Sequence, residues 1–256
     1  MTDPRRMIRN MGFLKDQEGI MNRYLRERSH WEEHLERTRA FINGAFRDGS
    51  IGSVAVLGSG WLLDVPLDSM VERYKQIYLV DIIHPPQIRR KVKDMANVEI
   101  IETDLSGGVI EQLWPIIRSK NRETGHQALD SITLSPPLDH LSPDAFVSVN
   151  LLNQLDIILC DYLRKQGYFQ QGSSNQFRSR LQAFHLEWIT AKPGCLITDT
   201  IEVSSDNEGK ESHKSLLHTD LPPGIRSEQW GWEFDTTGSY RSGTRTHMEV
   251  QAIEWA

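Results

Sequence analysis

The chain has 256 residues, and 29 Lys and Arg against 35 Asp and Glu give it a formal net charge of −6. Hydrophobic residues make up 38%, a composition typical of soluble globular proteins that excludes disordered, collagen-like and disulfide-scaffold classes. The acidic balance disfavours nucleic acid as a partner, because it gives no general attraction to a phosphate backbone. No run of about 18 uncharged apolar residues is present, so no membrane span is predicted.

The two cysteines, Cys160 and Cys195, are too few for a disulfide framework or a four-thiolate zinc site. Both lie in apolar runs, which predicts reduced core thiols in a bacterial-type cytosolic protein. The basic first residues are not followed by an apolar segment, so no secretory signal is predicted and we expect a cytoplasmic location. The oligomeric state is left open.

The N-terminal part of the chain has a helical pattern. Between about Lys15 and Phe46, apolar and aromatic residues recur at helical spacing among charged ones, which predicts an amphipathic helix or pair of helices. We expect one domain over residues 1–256, consisting of an N-terminal helical extension (1–50) and an α/β core (51–256).

The core alternates between strand and helix patterns. Short β-branched runs predict five strands, at Ser53–Gly58, Gln76–Asp81, Asn97–Ile101, Asp130–Leu134 and Cys195–Asp199. Helical stretches between them indicate βαβ units and a mostly parallel sheet. Near the C-terminus, alternating patterns around Trp232 and Val250 predict an antiparallel pair that closes the sheet. The predicted fold is therefore α/β, with a doubly wound, mostly parallel, Rossmann-like sheet of seven strands and an antiparallel C-terminal strand.

Two further predictions concern the segments between strands. Ser142 as N-cap and Pro143 at the first helical position predict a helix that ends at Gly167. The polar stretch Ser204–Ser227 predicts a long functional loop.

The strongest functional signal lies where the first predicted strand ends. Gly58, Ser59 and Gly60 form a Gly-x-Gly turn, the second strand ends in Asp81, and Asp104 follows the third strand. Glycines let a ligand approach the backbone, and an acid after the second strand is placed to bind a ribose diol. Leu63 replaces the third glycine of a dinucleotide fingerprint, which argues against a bound pyrophosphate and against a nicotinamide-dependent oxidoreductase.

This order of motifs resembles the class I S-adenosylmethionine-dependent methyltransferases, in particular uncharacterised bacterial methyltransferase-like proteins. The resemblance covers about Ser53 to Asp199 and includes Val-Leu-Gly-Ser-Gly, Leu-Val-Asp, Glu-Thr-Asp-Leu, Leu-Ser-Pro-Pro and Ala-Lys-Pro-Gly-Cys. It implies S-adenosylmethionine as cofactor and a small molecule as methyl acceptor. The cofactor-binding positions that it implies are Gly58, Ser59, Gly60, Asp81, Asp104 and Leu105.

The sequence also departs from that family. The family usually has an acid two residues before the first glycine, where this chain has Val56, and a further glycine where it has Leu62. These departures favour an alternative, a binding or scaffold protein on a methyltransferase fold that has lost catalysis.

The catalytic side chains are expected after the fourth predicted strand, in the loop Ser135–His140. This loop resembles the Asn/Asp-Pro-Pro-aromatic loop of amino methyltransferases, with Ser135 in place of the amide or acid and Leu138 in place of the aromatic residue. Ser135 and His140 are therefore the predicted catalytic residues. A rigid strand-to-helix turn without catalytic function explains the two prolines equally well.

Weaker candidates have plainer interpretations. Asn150 is assigned to the solvated face of a helix, Asp199 to the ligand edge of the sheet or to a turn cap, and Trp232 to the core. The segment His30–His34 matches the His-x-x-Glu-His order of inverted zinc proteases, but such short matches arise easily in a charged helix, so no metal site is predicted.

Overall fold

The structure is a computed structural model that describes residues 4–47, 49–119, 129–168 and 174–256. The helices described are α1 (Pro4–Met11), α2 (Phe13–Gly44), α3 (Leu67–Arg73), α4 (Pro86–Val92), α5 (Val109–Ser119), α6 (Gln154–Lys165) and α7 (Asn175–Ile189). The strands are β1 (Ser53–Leu57), β2 (Gln76–Asp81), β3 (Val98–Glu102), β4 (Ala145–Val149), β5 (Gly194–Ser205), β6 (Glu211–Ser215), β7 (Arg226–Asp235) and β8 (Arg245–Trp255).

The strands form one sheet with the order β3-β2-β1-β4-β5-β8-β7. Strands β1 to β5 are parallel, and β8 is antiparallel to both of its neighbours. The chain thus winds outward from β1 to β3 and then in the other direction from β4, which confirms the predicted doubly wound, Rossmann-like fold with an antiparallel C-terminal strand.

The described part of the chain has eight strands rather than the predicted seven. The additional strand, β6, pairs antiparallel with the second half of β5. It lies inside the stretch Ser204–Ser227, which the sequence predicts as a loop because every residue of β6 is polar. All five of its residues are exposed, so no apolar alternation marks it.

The predicted fourth strand, Asp130–Leu134, is wrong. Its carbonyl groups are bound by side chains instead of a neighbouring strand: Arg180 donates to the Ile132 oxygen at 2.7 Å, and Gln112 donates to the Thr133 oxygen at 2.7 Å. These hydrogen bonds satisfy the backbone without sheet pairing.

The helix predicted to begin at Ser142 is also wrong in its first part, because the central strand β4 occupies Ala145–Val149. All five residues of β4 are buried between β1 and β5. Ser142, the predicted N-cap, does not begin a helix, and Asp144 binds a strand instead. Its Oδ2 accepts hydrogen bonds from the Ser53 and Gly52 nitrogens at 2.8 and 3.0 Å, which fixes the start of β4 beside the start of β1.

The N-terminal helical extension is present as α1 and α2. Helix α2 packs against β7, with Trp31, Leu35 and Phe41 buried in the same core cluster as Trp232. The extension therefore covers one side of the sheet close to the carboxyl ends of its central strands.

Among the helices of the described residues, none combines the length and the apolar character that crossing a membrane requires.

Candidate functional site

A cavity of about 210 Å³ lies at the carboxyl ends of β1, β2, β4 and β5. It is at the point where the strand order reverses, between β1 and β4, which is where open α/β sheets bind ligands. Residues of α2, β7 and β8 complete its walls. We call it the sheet-edge cavity.

The Gly58-Ser59-Gly60 turn forms the floor of this cavity at the end of β1. Gly58 has a φ of 81°, and a Cβ at this position would lie 2.7 Å from the Val149 oxygen, so only glycine fits. The hydroxyl of Ser59 is 2.8 Å from His84 Nε2, and Ser59 is 1% exposed. Ser59 therefore presents its backbone, rather than a free hydroxyl, to the cavity.

Asp81 ends β2, as predicted, and lines the sheet-edge cavity. Its Oδ2 accepts a hydrogen bond from the Gly60 nitrogen at 2.8 Å, and its Oδ1 accepts one from the Ile82 nitrogen at 2.7 Å. Burial raises the pKa of Asp81 to about 6, although these backbone hydrogen bonds act in the opposite direction. Each carboxylate oxygen can accept a further hydrogen bond, so Asp81 can still bind hydroxyl groups of a ligand.

A second cavity, of about 320 Å³, lies beside the first at the ends of β2 and β3. Helix α1 contributes Met7 and Ile8 to its wall, so we call it the α1 cavity. Ile82 lines both cavities. The two cavities therefore lie next to each other, with Ile82 between them.

Asp104 lines the α1 cavity, but Leu105 does not. The Asp104 carboxylate accepts hydrogen bonds from the Ser106 and Ile110 nitrogens at 2.9 and 3.0 Å, which close the turn that leads into α5. Burial raises its pKa. Leu105 is 5% exposed and packs in a core cluster with Leu57, so its side chain belongs to the core.

Neither predicted catalytic residue follows a strand, because the strand at 130–134 is absent. Ser135 and His140 are both exposed. Ser135 lines the α1 cavity together with Pro136 and Pro137, whereas His140 lines neither of the two cavities. Their catalytic roles stay predictions, but the positional reason for them is wrong.

The residue that does follow the fourth strand is Asn150. It has a left-handed backbone with a φ of 47°, a conformation in which asparagine is enriched, and it lines the sheet-edge cavity instead of a solvated helix face. Its Nδ2 donates to Asp64 Oδ2 at 2.7 Å. Sequence reasoning missed this site; the available signal was the apolar run Ala145–Val149 ending in asparagine.

His34 lies beside Asn150 in the cavity wall. The Trp230 Nε1–H group donates to His34 Nδ1 at 3.1 Å, so the neutral ring carries its proton on Nε2. Burial lowers the pKa of His34 to about 3, and the ring stacks on Trp232 with centroids 3.9 Å apart. The 3.3 Å between His34 Nε2 and Asn150 Nδ2 is then a contact between two donors, and the Asn150 Oδ1 atom has no hydrogen-bond partner in the described residues.

Asp199 lines the same cavity from β5. It is 9% exposed, and its Oδ1 has no hydrogen-bond partner within the described ranges. Burial raises the pKa of Asp199 to about 7, and the charges of Asp64 and Glu202 add to this, while a hydrogen bond with Asn153 acts against it. Glu202 is bound by the Arg241 guanidinium, so Asp199 is the carboxyl group of β5 that is left for a ligand.

Aromatic rings form the opposite wall of the sheet-edge cavity. Trp232 and Phe234 on β7 meet edge to face with centroids 4.8 Å apart, and Trp31 on α2 stacks on Phe234 at 5.7 Å. The Arg23 guanidinium lies 4.5 Å from the Phe234 ring centroid and 4.8 Å from that of Tyr240. Trp232 thus belongs to the core, as expected, but one side of it also lines the cavity.

The sheet-edge cavity is rich in acids and poor in bases. Among the described residues that line it, Arg23 is the one Lys or Arg, against the carboxyl groups of Asp16, Asp64, Asp81, Asp199 and Glu202. In the ranges that the structure describes, no group of three or more His, Cys, Asp and Glu is arranged to hold a metal ion. His30 is exposed while His34 is buried against Trp230, so this pair does not form the zinc site that its spacing suggested.

No protein-family model matches this chain, and no curated protein sequence matches it. Two complexes of DhpI are among the solved structures that resemble it over most of its length. The DhpI–SAH complex is 12% identical, with a TM-score of 0.36 over 91% of this chain and 87% of that chain. The DhpI–SAM–HEP complex is 9% identical, with a TM-score of 0.40 over 93% of this chain and 94% of that chain. Both TM-scores are below 0.5, so this similarity does not assign a function to this chain.

Proposed function

We propose that the protein transfers a methyl group from S-adenosylmethionine to a small molecule. The observation that carries this proposal is the position of the Gly58–Gly60 turn and Asp81, which lie together at the strand-order reversal. Two neighbouring cavities meet there at Ile82. A ligand that spans both cavities passes the Asp81 carboxylate.

The local backbone fits an adenosine cofactor that has no phosphate. Pyrophosphate is usually bound at the N-terminus of the helix that follows the first strand, but α3 begins only at Leu67, well beyond the glycine turn. A Cβ on Gly60 would lie 3.3 Å from Asp81 Oδ2, so glycine keeps the space in front of this carboxylate open. These features suit a ribose and disfavour a dinucleotide.

Each part of the cofactor has candidate partners in the two cavities. We assign the ribose hydroxyls to Asp81, the adenine to the α1 cavity beside Ile82 and Asp104, and the methionine part to the backbone of the glycine turn. Arg23 lines the sheet-edge cavity, and its Nε has no hydrogen-bond partner in the described residues, so it is available for the methionine carboxylate. When bound, the cofactor supplies an electrophilic methyl group on a sulfonium.

The alternative is a methyltransferase fold that binds a ligand without catalysis. Val56 supports it, because its side chain is fully buried in the core and no acid stands at that position. Asp64 weighs against it, since this acid lines the sheet-edge cavity from the loop after β1. Transfer of a labelled methyl group to any small molecule separates the two functions.

Titration calorimetry with S-adenosylhomocysteine tests the cofactor site. We expect the wild-type protein to bind and Asp81→Asn to bind at least tenfold more weakly, because hydrogen bonds to a charged group contribute about 1.5–3 kcal/mol. Asp139→Asn is the control, since Asp139 is exposed and lines neither cavity. Circular dichroism checks that each variant folds. No heat with the wild type, or equal affinity for all three proteins, contradicts the proposal.

Two further proposals concern the type of methyl acceptor and the cellular location of the protein. The acceptor is a small molecule, because the space for it is a walled cavity rather than an open surface. The protein is cytoplasmic, which is supported by Cys160 and Cys195, both free and buried.

A further inference from the structure

The sheet-edge cavity holds two acceptor oxygens that lack donors. They are Asn150 Oδ1 and Asp199 Oδ1, and neither has a hydrogen-bond partner in the part of the chain that the structure describes. Asp199 is more than nine-tenths buried. Burying an acceptor without a donor costs about 1–3 kcal/mol, so such atoms indicate a ligand that brings its own hydrogen atoms.

These two oxygens belong to one cluster. Asn150 donates to Asp64 at 2.7 Å, and the charge of Asp64 acts on Asp199, so Asp64 links the side chains that follow β4 and β5. The backbone nitrogen of Asn150 also donates to the Ile197 oxygen of β5 at 2.8 Å, which fixes the two strand ends beside each other. Asn150 and Asp199 therefore line the sheet-edge cavity from two neighbouring strands.

The surrounding charges select the chemistry of that group. An anionic acceptor would face Asp64, Asp199 and Glu202, whereas a cation would be attracted by them. His34 is neutral, and Glu202 is already bound by Arg241.

We propose that the methyl acceptor is an amine, bound through N–H groups to Asn150 Oδ1 and Asp199 Oδ1, and that Asp199 takes a proton from its ammonium form. The proton moves from nitrogen to Asp199 Oδ1, so the carboxylate becomes a neutral acid and the nitrogen regains its lone pair. This neutral amine is the nucleophile that attack on a sulfonium methyl requires. The proton then leaves Asp199 for water.

Burial favours this proton transfer. An ammonium–carboxylate pair becomes a neutral pair, and a poorly solvated cavity penalises the charged forms of both partners. The raised pKa of Asp199, about 7, has the same physical cause. The inference rests on the proposed methyl transfer, because it names the acceptor of that reaction.

The test uses a matched set of probes: benzylamine, benzyl alcohol and benzoate. Their binding to the full chain is measured by titration calorimetry, with and without S-adenosylhomocysteine. We expect benzylamine to bind at least tenfold more tightly than the alcohol or the carboxylate. Asp199→Asn should remove this preference and leave the affinity for S-adenosylhomocysteine within twofold of wild type. Glu249→Gln, which changes an exposed acid on β8, should behave as the wild type.

The inference is overturned if benzoate or benzyl alcohol binds as tightly as benzylamine, if none of the three probes binds, or if both Asp199→Asn and Asp199→Ala keep the wild-type preference. Circular dichroism establishes that these variants fold, and the alanine variant serves if the asparagine variant does not. Asp199-dependent binding of benzylamine without any binding of S-adenosylhomocysteine supports the amine site but overturns the methyl transfer. The two failures are therefore distinguishable.

Discussion

The Asp199 carboxyl group is costly to ionise in the folded protein, since burial and the charges of Asp64 and Glu202 raise its pKa to about 7. In the unfolded chain its pKa is close to the ordinary aspartate value of 3.8. Between these two values the folded state binds more protons than the unfolded state. The contribution of Asp199 to stability is therefore greatest at low pH and is lost as the pH rises through about 7.

Asp199→Asn removes this pH-dependent contribution. We expect the free energy of unfolding of the variant, relative to wild type, to be higher at about pH 8.5 than at about pH 5, by on the order of 2 kcal/mol. Tyr240 also acts on this group from the loop after β7, and Arg241 neutralises Glu202, so both stay unchanged in the experiment. Urea denaturation at the two pH values gives the measurement.

Asp144→Asn is the control, because it should show no pH dependence in this range. Hydrogen bonds from Ser53 and Gly52 lower the pKa of Asp144 below its ordinary value of 3.8, so its contribution is fully present at both about pH 5 and about pH 8.5 and is lost only at lower pH. This variant should therefore lose the same stability at the two pH values. An Asp199→Asn variant whose relative stability does not change with pH would contradict the burial of an unpaired carboxyl group in the cavity.

At the scale of elements, α6 and α7 are joined by an ion pair with almost no solvent access. Arg178 Nε lies 3.2 Å from Asp156 Oδ1, and the Gln182 amide donates to Asp156 Oδ2 at 2.7 Å. Burial raises the pKa of Asp156 to about 6, so the group is charged above that pH. Helix α6 also supplies Gln154 to the wall of the sheet-edge cavity. The ion pair therefore fixes a helix that lines the site.

Asp156→Asn should destabilise the protein strongly. It leaves the buried Arg178 without a counter-charge, and removing one partner of a buried ion pair costs about 3–5 kcal/mol. Asp161→Asn on the same helix breaks the exposed pair with Arg164 and should cost less than about 1 kcal/mol. Urea denaturation at pH above 7 compares the two variants, and equal losses would contradict the structural role assigned to the buried pair.

The element that sequence reasoning placed wrongly is the central strand. The run Ser142-Pro143-Asp144 has the composition of a helix start, but its acid binds the backbone of residues 52 and 53, more than 90 positions earlier. The segment 130–134 has the composition of a strand, but Arg180 and Gln112 satisfy its carbonyl groups. Both outcomes depend on hydrogen-bond partners that are distant in sequence. The local sequence pattern contains no information about these partners.

The elements that were predicted correctly are specified by their own residues and by residues next to them in sequence. Helix α2 falls in the helical pattern predicted between about Lys15 and Phe46, and the predicted turn after β1 contains Gly58, where a Cβ would collide with the backbone. Leu62 shows the limit of such signals. It has a φ of 55°, the left-handed region that favours glycine, although its side chain gives no sign of this.

For the whole molecule, the candidate site follows from topology more than from any one motif. The sequence supplied Gly58, Gly60 and Asp81, which lie at ends of β1 and β2 that it also predicted. It missed Asn150 and His34, because their meeting depends on the true position of β4 and on α2 packing against β7. Polar side chains on α2 are indistinguishable in sequence from those of any solvated helix.

The measurement that tests the account most directly is a crystal structure of the protein with S-adenosylhomocysteine. It should show the ribose hydroxyls on the Asp81 carboxylate, the adenine in the α1 cavity beside Ile82, and the homocysteine part along the backbone of Gly58–Gly60. The sulfur should face the part of the sheet-edge cavity that holds Asn150 and Asp199. A nucleoside bound elsewhere, or both cavities filled by the protein's own side chains in the crystal, would contradict the proposed function.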